Sequence, residues 1–190
     1  MTSTRFLVVA ALLAAMPAPA LAGETLALAP FARVKASDGA HVIIRHGDRQ
    51  QVTLAAGSTQ YSRIEVRDGV LEIETCKDWS CPRHYRLEID IAVPEISALD
   101  ASDGASIEAQ GDFPTQAHLA AKASDGGNVD ARAVAAAEVN AVATDGGEVS
   151  VEPRQAMNAR ADDGGLVRYW GHPTVTGLIA EDGGAVRQES

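Results

Sequence analysis

Residues 143–149 read Ala-Thr-Asp-Gly-Gly-Glu-Val, and the chain of 190 residues contains six copies of this pattern. Every copy has an alanine two positions before the aspartate and a glycine directly after it, and a β-branched aliphatic residue stands four positions after the aspartate. Asp-Gly is typical of tight turns, because glycine adopts a positive φ without a Cβ penalty. The six aspartates are Asp38, Asp103, Asp125, Asp145, Asp163 and Asp182.

The spacing of the copies predicts a repeat architecture. Successive aspartates are 65, 22, 20, 18 and 19 residues apart, so the last five copies recur about every 20 residues. Around Asp145, apolar and polar residues alternate before the turn, in 139–144, and after it, in 148–152, which is the period of a β-strand. We therefore predict an all-β fold, a single-stranded parallel β-helix (β-solenoid) whose coils of about 20 residues bury their apolar faces against one another.

The first interval of 65 residues has a different character. It holds longer strand-like segments with charged outer positions, and Asp68-Gly69 between two of them is typical of a hairpin turn. We expect this part to form the first coils or a cap, because terminal repeats are atypical. The prediction is a single domain over 23–190, with longer strands and a cysteine loop in 23–98 and repeat coils in 99–190.

The N-terminal segment 1–22 has the features of a Sec signal peptide. Arg5 precedes an apolar run at 6–15, and the small-residue pattern Ala-Leu-Ala ends at Ala22. The run is too short to span a bilayer, which needs about 20 apolar residues. We expect cleavage after Ala22 and a periplasmic or secreted protein without a membrane span in the mature chain.

The charge balance argues against one class of partner. Twenty-six acidic residues against sixteen basic ones give a net charge of −10, so the basic footprint of a nucleic-acid-binding protein is absent. Aromatic residues make up only 4% of the chain. The core is therefore expected to consist of small and β-branched side chains.

The two cysteines, Cys76 and Cys81, lie close together in the sequence. In an oxidising compartment such a pair is expected to form a structural disulfide. Trp79 lies inside the short loop that this bond closes. It either covers an open edge of the fold or forms a recognition tip.

Three segments together resemble the bacterial GIN-domain family, which is described as autotransporter-adhesin head domains. They are FARVKASDGAHVII at 31–44, IEVRDGVLEI at 64–73, and LEIDIAVPEI at 87–96, which runs on into the turn at 101–104. The resemblance covers about residues 25–186. It implies that the parallel β-helix is right-handed and belongs to an exported protein with an adhesion or surface role.

The aspartate column is the first candidate site. Repeats stacked in register would place successive aspartates roughly 5 Å apart, and their mutual repulsion would be offset by bound Ca²⁺, which prefers carboxylate oxygens. Alternatively, each aspartate caps its own turn by accepting backbone N–H groups. The candidate metal ligands are Asp38, Asp103, Asp125, Asp145, Asp163 and Asp182. No other cofactor is expected.

The second candidate site is aromatic. Tyr169 and Trp170 either stack on a sugar or a protein partner, or cap the C-terminal end of the core. Trp79 is the third aromatic binding candidate.

The chain shows no catalytic signature, so we predict a non-enzymatic, exported, adhesin-like binding module for an envelope glycan or a surface protein. One alternative is a Ca²⁺-binding structural scaffold. A weaker one is a polysaccharide-active β-helix enzyme that uses Asp163 and Arg168. Oligomers could form through the solenoid ends, because these are open strand edges.

Overall fold

The computed structural model describes residues 23–190, which form seventeen β-strands in two sheets. The nine-stranded sheet contains, in spatial order, β1 (Glu24–Leu26), β4 (Gln51–Ala56), β7 (Glu88–Val93), β3 (His41–His46), β9 (Ser106–Gln110), β11 (Asn128–Asp130), β13 (Glu148–Val151), β15 (Leu166–Trp170) and β17 (Ala185–Glu189). The eight-stranded sheet contains β16 (Thr174–Ala180), β14 (Pro153–Ala161), β12 (Ala136–Ala143), β10 (Gln116–Ala123), β8 (Ala98–Ala101), β2 (Arg33–Ser37), β6 (Val70–Glu74) and β5 (Arg63–Arg67).

Each repeat supplies one strand to each sheet, and the Asp-Gly turn connects the two strands. Equivalent positions of neighbouring repeats lie side by side in parallel register: Val129 pairs with Val149, and Val149 with Val167. These valines are buried because alternate side chains of each strand point inward between the sheets. The alternating pattern in the sequence is therefore confirmed as a strand pattern.

The prediction of a single-stranded, right-handed parallel β-helix, the β-solenoid, is wrong. The structure has two mixed sheets of nine and eight strands in a sandwich-like arrangement. Three strand pairs, β1–β4, β4–β7 and β5–β6, are antiparallel. The physical reason lies in the interval between Asp38 and Asp103, where β4 runs antiparallel to β7 and β5 and β6 form a hairpin, so the chain does not wind at a constant pitch.

The interval between Asp38 and Asp103 builds one end of the molecule. Its strands β7 and β4 extend the nine-stranded sheet, and β6 and β5 extend the eight-stranded sheet. The hairpin expected at Asp68-Gly69 is confirmed, since it joins the antiparallel strands β5 and β6 with φ values of 50° and 73°. The turns at Asp38 and Asp103 consequently become spatial neighbours although 65 residues separate them.

The buried residues form one cluster between the sheets, and its composition changes along the stack. Near the N-terminal end it contains large side chains such as Ile44, Leu71 and Ile91. In the repeats the same face of the eight-stranded sheet carries alanines, as in the row Ala121, Ala141 and Ala159. Small side chains let the two sheets approach closely at these levels, which agrees with the low aromatic content.

The second glycine of the last four copies lies against the backbone of the preceding turn. A Cβ built on Gly147 would be 2.5 Å from the carbonyl carbon of Ala123 and 2.9 Å from the nitrogen of Ser124. No real Cβ approaches backbone atoms so closely, so a side chain there would push neighbouring repeats apart. The first two copies differ, because Ala40 and Ala105 occupy this turn position and are buried.

Gly147→Ala is expected to destabilise the protein by about 1–3 kcal/mol, the usual cost of overpacking a close contact. Urea denaturation measures the change in the free energy of unfolding. The matched control is Ala105→Gly, which makes the reverse change at the same turn position and is expected to cost only about 0.5–1 kcal/mol through chain entropy. A Gly147→Ala protein as stable as the wild type would contradict this packing.

Candidate functional site

The six Asp-Gly turns form a continuous column along one edge of the two sheets, here called the turn column. In each turn the aspartate has a φ of 44–57° and the following glycine a φ of 70–81°, which are the angles of a type I′ turn. Each turn is closed by a backbone hydrogen bond, such as that from the Gly147 N–H to the Thr144 carbonyl at 2.8 Å. The Asp-Gly pair thus recurs because each turn requires two successive residues with positive φ.

A ladder of backbone hydrogen bonds joins the turns of the column. The glycine N–H of one turn donates to the aspartate carbonyl of the next at 3.0–3.1 Å. The five donors are Gly39, Gly104, Gly126, Gly146 and Gly164, and their acceptors are Asp103, Asp125, Asp145, Asp163 and Asp182 in the same order.

The aspartate side chains of the column are largely exposed. Within residues 23–190, the one hydrogen bond to a turn-column carboxylate comes from the Ser37 hydroxyl to Asp38, at 3.2 Å. The occurrence of aspartate at these positions is therefore explained by the backbone conformation of the turns. Asp and Asn tolerate positive φ better than other residues with side chains.

The acidic groups converge near the C-terminal end of the column. Carboxylate oxygens of Asp162, Asp163 and Asp182 lie within 4.8 Å of one another. The neighbouring carboxylate of Asp162 is the main cause that raises the pKa of Asp163, with burial, Asp145 and Asp182 adding to it. Arg160 lies 2.7 Å from Asp162 and offsets part of this repulsion. Calcium binding by the turn column stays a prediction.

The disulfide between Cys76 and Cys81 is confirmed, with a Cα–Cα distance of 5.7 Å. Within the loop that it closes, Asp78 accepts hydrogen bonds from the backbone N–H of Ser80 at 2.8 Å and from its hydroxyl at 2.5 Å. These bonds lower the pKa of Asp78. Trp79, between them, is 105% exposed. The loop therefore holds an indole ring out in solvent.

The other two aromatic candidates have less accessible positions. Tyr169 is 9% exposed and belongs to the core. Trp170 is partly exposed, and the guanidinium of Arg132 lies over its ring at 5.0 Å. Such cation–π contact covers one ring face. Arg168, considered above together with Asp163, is instead paired with Glu148 and Glu189.

The sequence that forms these strands and turns matches a known family. The family profile described as "Putative auto-transporter adhesin, head GIN domain" matches residues 30–118 and 115–173. The chain belongs to this GIN-domain family. The resemblance stated from the sequence is confirmed.

Solved structures resemble this GIN domain in fold. A crystal structure described as a putative adhesin from Bacteroides fragilis has a TM-score of 0.55 at 12% identity, covering 87% of this chain and 94% of that one. A putative adhesin from Parabacteroides merdae has a TM-score of 0.42 at 15% identity, covering 89% and 96%. No curated protein matches the chain in sequence.

A shallow groove of about 440 Å³ runs across the outer face of the eight-stranded sheet of this GIN domain. His118, Glu138, Asn140, Asn158 and Thr176 supply its polar groups, and His118 and Glu138 lie 3.1 Å apart. Sequence reasoning missed this groove because its residues come from successive repeats. One signal for the groove was present in the sequence. Asn140 and Asn158 stand at equivalent positions of two successive repeats, and in the structure they pair directly.

The C-terminal end of the GIN domain, formed by β16 and β17, leaves apolar side chains uncovered. Leu178 is 53% exposed, and Val175 and Ile179 are each 40% exposed. Val175 and Leu178 pair with the buried Met157 and Ala159 of β14, so they occupy core positions that no further strand covers.

The predicted signal peptide, 1–22, lies outside the described residues. Across 23–190, no helix has the length and apolar character required to cross a bilayer.

Asp163→Asn is expected to stabilise the protein at neutral pH, because it removes the carboxylate that its acidic neighbours disfavour. A raised folded-state pKa means that ionised Asp163 opposes folding above that pKa. The gain should therefore vanish once the pH falls below the ordinary carboxyl value of 3.8. Urea denaturation at neutral and acidic pH measures it.

Asp103→Asn is the control, because it makes the same change in the same type I′ geometry without the Asp162 neighbour. A gain of equal size in both variants, or one that persists in acid, would show that backbone preference and not charge is responsible.

Proposed function

We propose that this GIN domain is an exported, non-catalytic, adhesin-like binding module and that Trp79 is its principal contact residue. The observation that carries the proposal is a fully exposed tryptophan on a loop closed by a disulfide. A large aromatic side chain is costly to leave in water, and tryptophan is enriched among the residues that dominate binding energies. The family description as an adhesin head supports the same role.

The Trp79 loop is suited to binding because it is ordered before any partner arrives. The Cys76–Cys81 bond and the two hydrogen bonds from Ser80 to Asp78 restrict the backbone on both sides of the ring. Less conformational entropy is then lost on binding, which leaves more of the contact energy as affinity. An indole ring has a flat apolar face that fits a sugar ring or an apolar protein surface.

The proposed partner is a component of a cell envelope, either a glycan or a surface protein. A disulfide persists in oxidising compartments outside the cytoplasm, and the segment 1–22 is proposed as the export signal. The net charge of −10 disfavours polyanionic partners. The outer groove offers amide, hydroxyl and imidazole groups to a glycan.

Trp79→Ala is expected to weaken binding to isolated bacterial envelope fragments by about tenfold or more, the usual effect of removing a central aromatic contact. Co-sedimentation at a series of protein concentrations measures it, with fragments digested by glycosidase or by protease to separate the two kinds of partner.

The matched control is Trp170→Ala, which removes the same side chain from the position covered by Arg132. Equal losses in the two variants would mean that Trp79 has no special role. Unchanged binding by Trp79→Ala would overturn the proposal.

A second copy of this chain is the partner proposed for the C-terminal end. The strand β16 contains no charged residue between Thr174 and Ala180, and both β16 and β17 are edge strands. The opposite end is protected, because its edge strand β5 carries Arg63, Glu65 and Arg67, all in ion pairs. Charged edges of this kind prevent strand pairing, and an uncharged apolar edge permits it.

A two-fold axis suits this end. Antiparallel pairing of β16 with its copy would be a self-complementary arrangement. The exposed Leu178 side chains would be covered at the same interface.

Leu178→Lys is expected to weaken self-association by about tenfold or more, because it places an unpaired charge in the apolar contact. Sedimentation equilibrium measures the association constant. Ala117→Lys, which adds the same charge at an exposed position of β10 away from this end, is the control. A wild-type protein that stays monomeric at every concentration would rule out this partner.

A further inference from the structure

The chain contains seven Asp-Gly pairs, the six of the turn column and Asp68-Gly69. All seven aspartates have φ between 44° and 57°, and all seven glycines have φ between 70° and 81°. The local geometry of the pairs is therefore nearly the same. Asp-Gly is chemically the most vulnerable dipeptide for aspartate isomerisation, because glycine presents no side chain that hinders attack on the aspartate carboxyl. The surroundings of each pair decide whether it reacts.

The pairs differ in the glycine N–H. In five turns it donates to the aspartate carbonyl of the next turn at 3.0–3.1 Å. Within residues 23–190 the turn at Asp182 is the last of the column, and no following turn accepts from the Gly183 N–H. Among residues 23–190, the N–H groups of Gly183 and of Gly69 donate no hydrogen bond.

We propose that Asp182 is a site of isoaspartate formation and that the hydrogen-bond ladder protects the aspartates of the five preceding turns. The nitrogen must lose its proton and move toward the side chain before it can react. A hydrogen-bonded N–H resists both changes, and in the ladder it would also have to break its contact with the next turn.

The reaction needs only water and a base. The Gly183 nitrogen gives its proton to the base and attacks Cγ of the protonated Asp182 carboxyl. An N–Cγ bond forms, the Cγ–OH bond breaks, and the hydroxide takes up the proton held by the base and leaves as water. The product is a succinimide ring. A water molecule then opens the ring, and opening at the α-carbonyl leaves Gly183 attached through the side chain of Asp182. Atoms and charge balance without an oxidant or reductant, and the mass of the protein does not change.

The position of Asp182 favours it over Asp68. At Asp68 both carbonyls of the turn are held, because the Arg33 guanidinium donates to the Asp68 carbonyl and the Ala32 N–H donates to the Gly69 carbonyl at 3.2 Å. In the Asp182 turn, among residues 23–190, the Asp182 carbonyl accepts from the Gly164 N–H and the Gly183 carbonyl accepts none. The Asp182 turn joins the two edge strands β16 and β17, which have neighbours on one side only. We therefore expect Asp182 to react first and Asp68 second.

The consequence of the reaction is local. The isoaspartyl linkage inserts a methylene group into the main chain, which is incompatible with the bond from the Gly184 N–H to the Glu181 carbonyl at 2.7 Å. The type I′ turn would open, and β17 would no longer be held in register with β15. Isoaspartate formation would thus first disrupt the structure at the C-terminal end of the described residues.

The test follows purified wild-type protein aged at mildly acidic pH, with isoaspartate located by fragmentation mass spectrometry of its peptides. We expect isoaspartate at Asp182 to form about tenfold or more faster than in any ladder turn, since one backbone hydrogen bond must be broken there first. Comparable rates at all seven pairs, or a ladder turn that reacts first, would overturn the proposal.

Two matched variants give a second readout. Asp182→Asn and Asp145→Asn keep a residue that tolerates positive φ, and Asn-Gly reacts by the same attack with loss of ammonia, which changes the mass. Asp182→Asn is expected to lose ammonia about tenfold or more faster than Asp145→Asn. Amide hydrogen exchange should likewise be faster at Gly183 than at Gly146. Equal exchange or equal ammonia loss would show that the ladder gives no protection.

Discussion

The stacked type I′ turns are the constraint on which the rest of the structure depends. Each turn requires two successive residues with positive φ, and Asp-Gly supplies them. The hydrogen bond from the glycine of one turn to the aspartate carbonyl of the next then sets the spacing of the column. Because each turn connects the two sheets, the same ladder aligns the strands on both sides of it. In the first five turns, the alanine before the turn and the valine or isoleucine after it are buried as a result.

The ladder has a direction, and this makes the two ends of the molecule different. At the N-terminal end, the strands between Asp38 and Asp103 extend both sheets, and the eight-stranded sheet ends in the charged edge strand β5. At the C-terminal end, the column stops at Asp182, where the Gly183 N–H and the side chain of Leu178 both remain without a following repeat. The proposed reactivity of Asp182 and the proposed self-association therefore share one structural cause, the end of the stacked turns.

The repeats build the scaffold, and the proposed binding residue lies outside them. Trp79 belongs to the disulfide loop of the N-terminal part, where the chain departs from the repeat. Inside the repeats, Tyr169 contributes to the core and Trp170 is covered by Arg132. The acidic column follows from the backbone angles of the turns, so its presence alone is no argument for a ligand.

The sequence by itself determined the turns, the strands beside them, the disulfide and the family, because these depend on residues close together in the chain or on their order. It did not determine how the strands assemble. A period of about 20 residues is compatible with a continuous coil and equally with one strand in each of two sheets, and the first of these was expected and is wrong. Only the tertiary structure decided that the interval after Asp38 supplies antiparallel strands, which make the sheets mixed. It also decided which aromatic side chains are exposed and which Asp-Gly amide lacks an acceptor, since both depend on contacts between distant segments.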